Sequence, residues 1–298
     1  MQKDRRMGQI GLIALSTGSL YTYGLSRIFA LAAETGFDGI EVMVEAPQDT
    51  RDAAYLRRTA TEHGLPIVAL HSPFIFEVPG WPADQMNRLE RTIALAQALE
   101  VRVVVTHLPY RVYALLCQWH SAHPRRAFIP VFWPRREPYY QLLRSTERLA
   151  EMEAATGVVI AVENMPVRRF LGLPISMYWL NRLDELARFP HLTLDTTHIG
   201  TWQLSPLDVW RVLGKRVAHV HLSNYDGREH RLPPDGDLPL GEFLQRLDQD
   251  GYAGVVSVEC GPEPFEAEDP AACRANLERT LSFCRTHYRA GGGAQARR

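Results

Sequence analysis

Seven residues able to bind a metal or move a proton stand at the ends of short apolar runs. They are His71 in IVALHSPF, His107 in VRVVVTHLP, Glu163 in VVIAVENMP, Asp195 and His198 in HLTLDTTHIG, His221 in RVAHVHLSN and Glu259 in GVVSVEC. One ionisable group after a β-like run is commonplace, and Asp195 before TTH is also a plain helix cap. Six successive runs ending this way need a shared cause. Parallel strands of one barrel bring their carboxyl ends to one face. Three carboxylates crowded there would raise one another's pKa. A divalent cation removes that conflict, and a mixture of imidazole and carboxylate suits Mn, Zn, Fe or Co.

The elements that must position these groups alternate along the chain. Strand patterns cover 9–15, 39–44, 66–71, 102–107, 158–163, 191–195, 217–222 and 254–259. Helical patterns cover 25–35, 50–63, 83–99, 138–156, 176–187, 205–213, 239–249 and 270–288. Strict alternation predicts a parallel α/β sheet. Eight units in one domain predict a (β/α)8 TIM barrel over residues 1–289, followed by a disordered tail at 290–298. A doubly wound open sheet is the rival, but it would spread the strand ends along a line. Period-2 alternation places Glu259 with Ser257, Glu163 with Ala161, and His221 with His219 on shared faces. His219 then lies one layer beneath His221. The long connection 108–137 after strand four is rich in Arg and aromatic residues, and a barrel places it over the strand-end face as a lid or a subunit contact.

Composition narrows the class. The 298 residues are 46% hydrophobic, with a net charge of −1, so no general attraction to polyanions is built in. Cys117, Cys260, Cys273 and Cys284 show no CxxC spacing and read as free thiols of a reducing compartment. The first apolar run is too short to span a membrane. A cytoplasmic protein is expected, with homo-oligomerisation left open.

In order, GFDGIEV, LHSPF, VVVTHLP, VENMP, LDTTHIGT, HVHLSNYDGREHRLPPDGDLPL and GYAGVVSVEC resemble the xylose-isomerase-like TIM-barrel superfamily. That group includes sugar isomerases and epimerases, inosose dehydratases and endonuclease IV-type apurinic-site endonucleases. The resemblance runs from residue 9 to residue 260. It implies that Glu163, Asp195, His221 and Glu259 bind one divalent ion (Mn, Zn, Co, Mg or Fe). It also implies that Glu163 and Glu259 exchange protons with a sugar-like substrate through a metal-stabilised enediolate. In the endonuclease branch, histidines matching His71 and His107 bind a further zinc; in sugar-active members they hydrogen-bond substrate. His198 and His230 match ligands of a third zinc, whose aspartate is replaced here by Arg228. A cation cannot replace that ligand, so one principal metal is expected, with at most a second at His71 and His107. Arg228 suits a substrate oxyanion. Glu41, on the inner face of strand two, and Asn164, beside Glu163, are further substrate-binding candidates. Phe74 and Trp202 could close over a sugar face.

The expected activity is therefore isomerisation or epimerisation of a sugar, polyol or related hydroxy-carbonyl compound. The alternatives are a phosphodiesterase on abasic DNA and a non-catalytic sugar-binding barrel. Near-neutral charge and the missing third-site carboxylate weigh against nucleic acid, and the intact glutamates against a mere binder.

Overall fold

Short strands rich in β-branched residues close on themselves because each has an apolar outer face for a helix to cover. The computed structural model describes residues 11–74, 78–119, 125–132, 135, 137–170 and 173–288. Its strands are β1 Leu12–Ser16, β2 Gly39–Met43, β3 Ile67–His71, β4 Val103–His107, β5 Val112–Trp119 and β6 Arg125–Phe132. They continue with β7 Val159–Glu163, β8 Val167–Phe170, β9 Leu173–Ser176, β10 Leu192–Asp195, β11 Val217–Leu222 and β12 Val255–Val258. Eight of them form a closed parallel barrel in the order β1-β2-β3-β4-β7-β10-β11-β12, with β12 paired back to β1. The barrel rather than an open sheet is what makes the strand ends converge.

The α-helices are α1 Leu25–Thr35, α2 Ala53–His63, α3 Gln85–Leu99, α4 Pro138–Arg144, α5 Thr146–Thr156, α6 Leu183–Leu186, α7 Thr196–Thr201, α8 Pro206–Leu213, α9 Leu240–Gln249 and α10 Pro270–Tyr288. Their apolar stripes face the barrel. Helix α1 buries Leu25, Ile28, Phe29 and Ala32, and α9 buries Phe243, Leu244 and Leu247. They meet outward strand residues such as Leu15, Val42, Ile160, Val220 and Val256, which form one continuous core with them. Local signals set the helix ends. The Asp52 carboxylate accepts the Ala54 and Tyr55 N–H groups at the start of α2, and Gly64 closes it in the left-handed region at φ 60°.

Three expectations need correction. The helix expected over 138–156 breaks at Ser145, whose extended backbone and hydroxyl cap α5. Of the helix expected over 176–187 only α6 forms, because Ser176 belongs to β9, Tyr178 bridges antiparallel to Tyr110, and Leu180 takes the left-handed region at φ 63°. The connection 108–137 is no plain loop: β5 and β6 pair as an antiparallel hairpin. Its root is tied beside the strand-end face, where Trp179 N–H donates to the Pro109 carbonyl and Arg111 N–H to that of Met177. Whether the hairpin tip covers the site falls on side chains outside the described residues, as does the expected tail. Among the described residues no helix is long and apolar enough to cross a membrane.

Candidate functional site

Strand register delivers the ionisable groups to one level. His107 pairs with Glu163, Asp195 with His221, and His221 with Ser257. Side-chain alternation turns all of them inward. Glu163, Asp195, His221 and Glu259 each offer one ligand atom, and these four atoms lie within 4.8 Å of one another. The four residues proposed to share a metal are thus brought together by β7, β10, β11 and the residue after β12.

The donor set fits a cation. Asp195 caps α7: its Oδ1 accepts the His198 N–H at 2.9 Å. Its Oδ2 is buried and has no hydrogen-bond partner. Its nearest cationic groups are His198 Nδ1 at 3.6 Å and His221 Nδ1 at 3.9 Å, beyond hydrogen-bond reach, and a buried carboxylate oxygen without a hydrogen bond is costly unless something positive meets it more closely. His221 Nδ1 points into the same space, 2.6 Å from Glu259 Oε2 and 3.3 Å from Glu163 Oε1. Both the cap reading of Asp195 and the ligand reading therefore hold, one for each oxygen.

Glu163 sits within a ring of imidazoles. Its Oε2 lies 3.0 Å from His107 Nε2 and 3.3 Å from His71 Nε2, and its Oε1 lies 3.3 Å from His198 Nδ1. His71 Nδ1 donates to the Ser72 carbonyl and His198 Nδ1 to that of Asn164, so each ring is fixed by its other surroundings. His230 is held in the left-handed region at φ 60°, with its N–H donated to Thr197 Oγ1. Its ring meets that of His198 edge-on at 5.7 Å.

Charge is distributed unevenly over this cluster. Burial pushes Glu163 up, but His221 and His107 outweigh it and hold the carboxyl well below its usual range. Glu259 is likewise lowered, burial being overcome by His221. Asp195 goes the other way. Burial raises it to about 6, with Glu163 adding to the effect and His198 opposing it. His198 is raised to about 9, because Asp195 and Glu163 more than offset its burial. His107 is lowered, burial prevailing over Glu163.

Above the cluster opens a cavity of 510 Å³. Glu163, Glu259, His107, His198 and His230 line its floor and wall. Phe74, Met43, Met165 and Tyr178 supply apolar surface, and Arg168 and Glu229 form an ion pair at its edge. Phe74 stacks on His107 with ring centroids 5.2 Å apart. A small polar ligand with one apolar face matches such a lining.

The other candidates fall elsewhere. Asn164 uses its amide on the Asp195 backbone, accepting from its N–H and donating to its carbonyl, so it braces a ligand instead of facing the cavity. Arg228 is exposed and pairs with Asp226 at 3.1 Å, outside the cavity lining. Glu41 is fully buried and bonded to His219 and His221. Trp202 donates to the Met165 carbonyl and also lies outside the lining. Sequence reasoning missed Glu45, which lines the cavity and whose carboxyl is raised by burial against the opposing influence of His71. The signal was present, since Glu45 stands two residues past the end of β2, in step with the inward Glu41 and Met43.

The family model for the xylose isomerase-like TIM barrel matches residues 29–281. The chain belongs to this family. It is 28% identical to the uncharacterized protein Rv0498 of Mycobacterium tuberculosis, over 92% of this chain and 97% of that one. It is 23% identical to D-psicose 3-epimerase of Enterocloster bolteae, over 75% of this chain and 72% of that one. The crystal structure of an AP endonuclease, family 2, from Brucella melitensis superposes with a TM-score of 0.63 at 18% identity, covering 90% of this chain and 97% of that one. That likeness shows the fold and leaves the reaction to the site.

Proposed function

We propose that this member of the xylose isomerase-like family is a divalent-metal-dependent isomerase or epimerase of a sugar, polyol or related small hydroxy-carbonyl compound. The observation that carries the reading is the convergence of one ligand atom each from Glu163, Asp195, His221 and Glu259 within 4.8 Å of one another, with the buried Asp195 Oδ2 lacking a hydrogen bond and with Glu163 and Glu259 lining a cavity of 510 Å³. Glu163, Asp195, His221 and Glu259 would hold the ion, which when bound supplies Lewis acidity to neighbouring substrate oxygens. Glu163 and Glu259 approach the cavity from β7 and from the end of β12, so they flank a ligand from different sides. Each is held in its ionised form and is ready to accept a proton from carbon. In isomerisation the same carboxyl returns the proton to the adjoining carbon; epimerisation requires the opposite carboxyl to enter the step already protonated from solvent, so that it delivers that proton to the other face while the first carboxylate keeps the one it removed. His107, His198 and His230 offer ring nitrogens to substrate hydroxyls, and Phe74 covers an apolar sugar face.

The likeness to D-psicose 3-epimerase supports a sugar substrate. The third zinc site of an abasic-site endonuclease finds little support here. Arg228 turns out to Asp226, and the Glu229 carboxylate next to His230 is bonded to Arg168. Elemental analysis of the purified protein is expected to give about one tightly held divalent ion per chain; three zincs would favour DNA cleavage. The deciding assay incubates enzyme, a ketose and aldose panel, and Mn or Co in deuterated water. Solvent deuterium is expected at the reacting carbon of a converted sugar. Cleavage of abasic DNA without sugar conversion on a broad panel would overturn the assignment.

A further inference from the structure

The sequence VAHVHL puts His219 and His221 on the same inward face of β11, one layer apart. On the strands beside β2 the residues level with Glu41 are small, Ser16 of β1 and Ala69 of β3. Glu41 reaches from between them to the two histidines of β11. Glu41, His219 and His221 are each fully buried. The carboxylate spans the two imidazoles: Oε2 lies 2.8 Å from His219 Nε2, and Oε1 lies 3.0 Å from His221 Nε2. A carboxylate only accepts, so each Nε2 is the donor. Without an ion, Nδ1 also donates, to the carboxylates of Glu259 and Glu163; with an ion bound, His221 would keep its one proton on Nε2 and turn the Nδ1 lone pair to the space shared by Glu163, Asp195 and Glu259.

We infer that Glu41 is the positioning residue of the metal centre: it fixes the tautomer and orientation of His221, and His219 holds the second oxygen so that the carboxylate cannot swing up among the ligands. The inference rests on the proposed metal site. Its logic is the carboxylate–histidine–metal relay, in which a hydrogen-bonded carboxylate raises ligand basicity and selects the ligating nitrogen. His219 suits the second oxygen because its own Nδ1 has no hydrogen-bond partner, so nothing competes for the ring's orientation. The edge-on contact between the two rings, with centroids 5.1 Å apart, sets their spacing.

The test measures Zn²⁺ affinity by competition with a chromophoric chelator for wild type, Glu41→Gln and Glu41→Ala. Loss of such a support costs about 10- to 100-fold in affinity. Glu41→Ala is expected to show the larger loss. Glu41→Gln is expected to fall between, because its amide oxygen can still accept from His221. In ¹⁵N spectra of the zinc-loaded protein, wild-type His221 should show a protonated, hydrogen-bonded Nε2 and a metal-bound Nδ1, and Glu41→Ala should lose the hydrogen-bonded Nε2 signal. If near-UV circular dichroism shows that Glu41→Ala does not fold, Glu41→Gln decides alone. Affinities within twofold of wild type in every folded variant would overturn the inference and leave the metal site standing. A wild-type protein that binds no divalent ion would overturn both.

Discussion

Glu163→Gln and Glu259→Gln should each lower turnover by about 10²- to 10⁴-fold, the range for a lost general acid–base group. The two variants differ in what else they disturb. Glu163 is the shared partner of His71, His107, His198 and His221. Its amide replacement would remove the negative charge that those rings surround, so metal affinity should fall with turnover. Among the described residues the Glu259 carboxylate pairs with only one of these imidazoles, His221, and it lines the cavity. It is therefore the cleaner probe. With metal occupancy restored by excess ion, a Glu259→Gln protein whose kcat and kcat/KM fall together has lost a group that acts in the transition state. If turnover recovers fully once the site is refilled, Glu259 is a ligand without a proton-transfer role, and the two-carboxylate chemistry proposed here is wrong.

The parts legible in the sequence are those governed by periodicity. Strand ends at His71, His107, Glu163 and Asp195 follow from apolar runs that stop at a polar residue, and the barrel brings those ends to one face. The bounds of α1 and α10 follow from their stripes, from Gly36 just past the end of α1 and from Pro270 as the first residue of α10. What alternation cannot supply is cross-barrel partnership. Glu41 was visibly inward, but only the closed ring shows that it meets β11 from across the barrel instead of opening to the cavity. Asn164 was visibly adjacent to Glu163, yet its amide is consumed by the backbone of the next strand. The two hairpins were missed because each lies where a helix or a loop was expected and depends on a pairing between segments. Ser145 was a cap hidden inside an amphipathic run, and only the backbone shows the break.

Metal loading should stabilise the fold, by an amount that grows with pH. An ion present at 100 times its dissociation constant stabilises the native state by about 2.7 kcal/mol. For a chain of this size that corresponds to a rise in Tm of roughly 5 °C over the chelated protein. The pH dependence follows from Asp195. Its folded-state pKa is raised to about 6, so the ion-free fold prefers it protonated. The cost of keeping it ionised is absent below its unfolded pKa near 4 and is fully present above about 6. A bound cation needs the ionised form and removes that cost. Stability of the chelated protein attributable to Asp195 should thus fall as pH rises through that window, while the loaded protein escapes the fall. The gap in Tm between Mn- or Zn-loaded and chelated samples should widen from about pH 5 to pH 7. An Asp195→Asn protein loses the charge and should show a smaller gap with less pH dependence. Identical Tm values with and without chelator across that range would mean that these four residues do not hold an ion in solution.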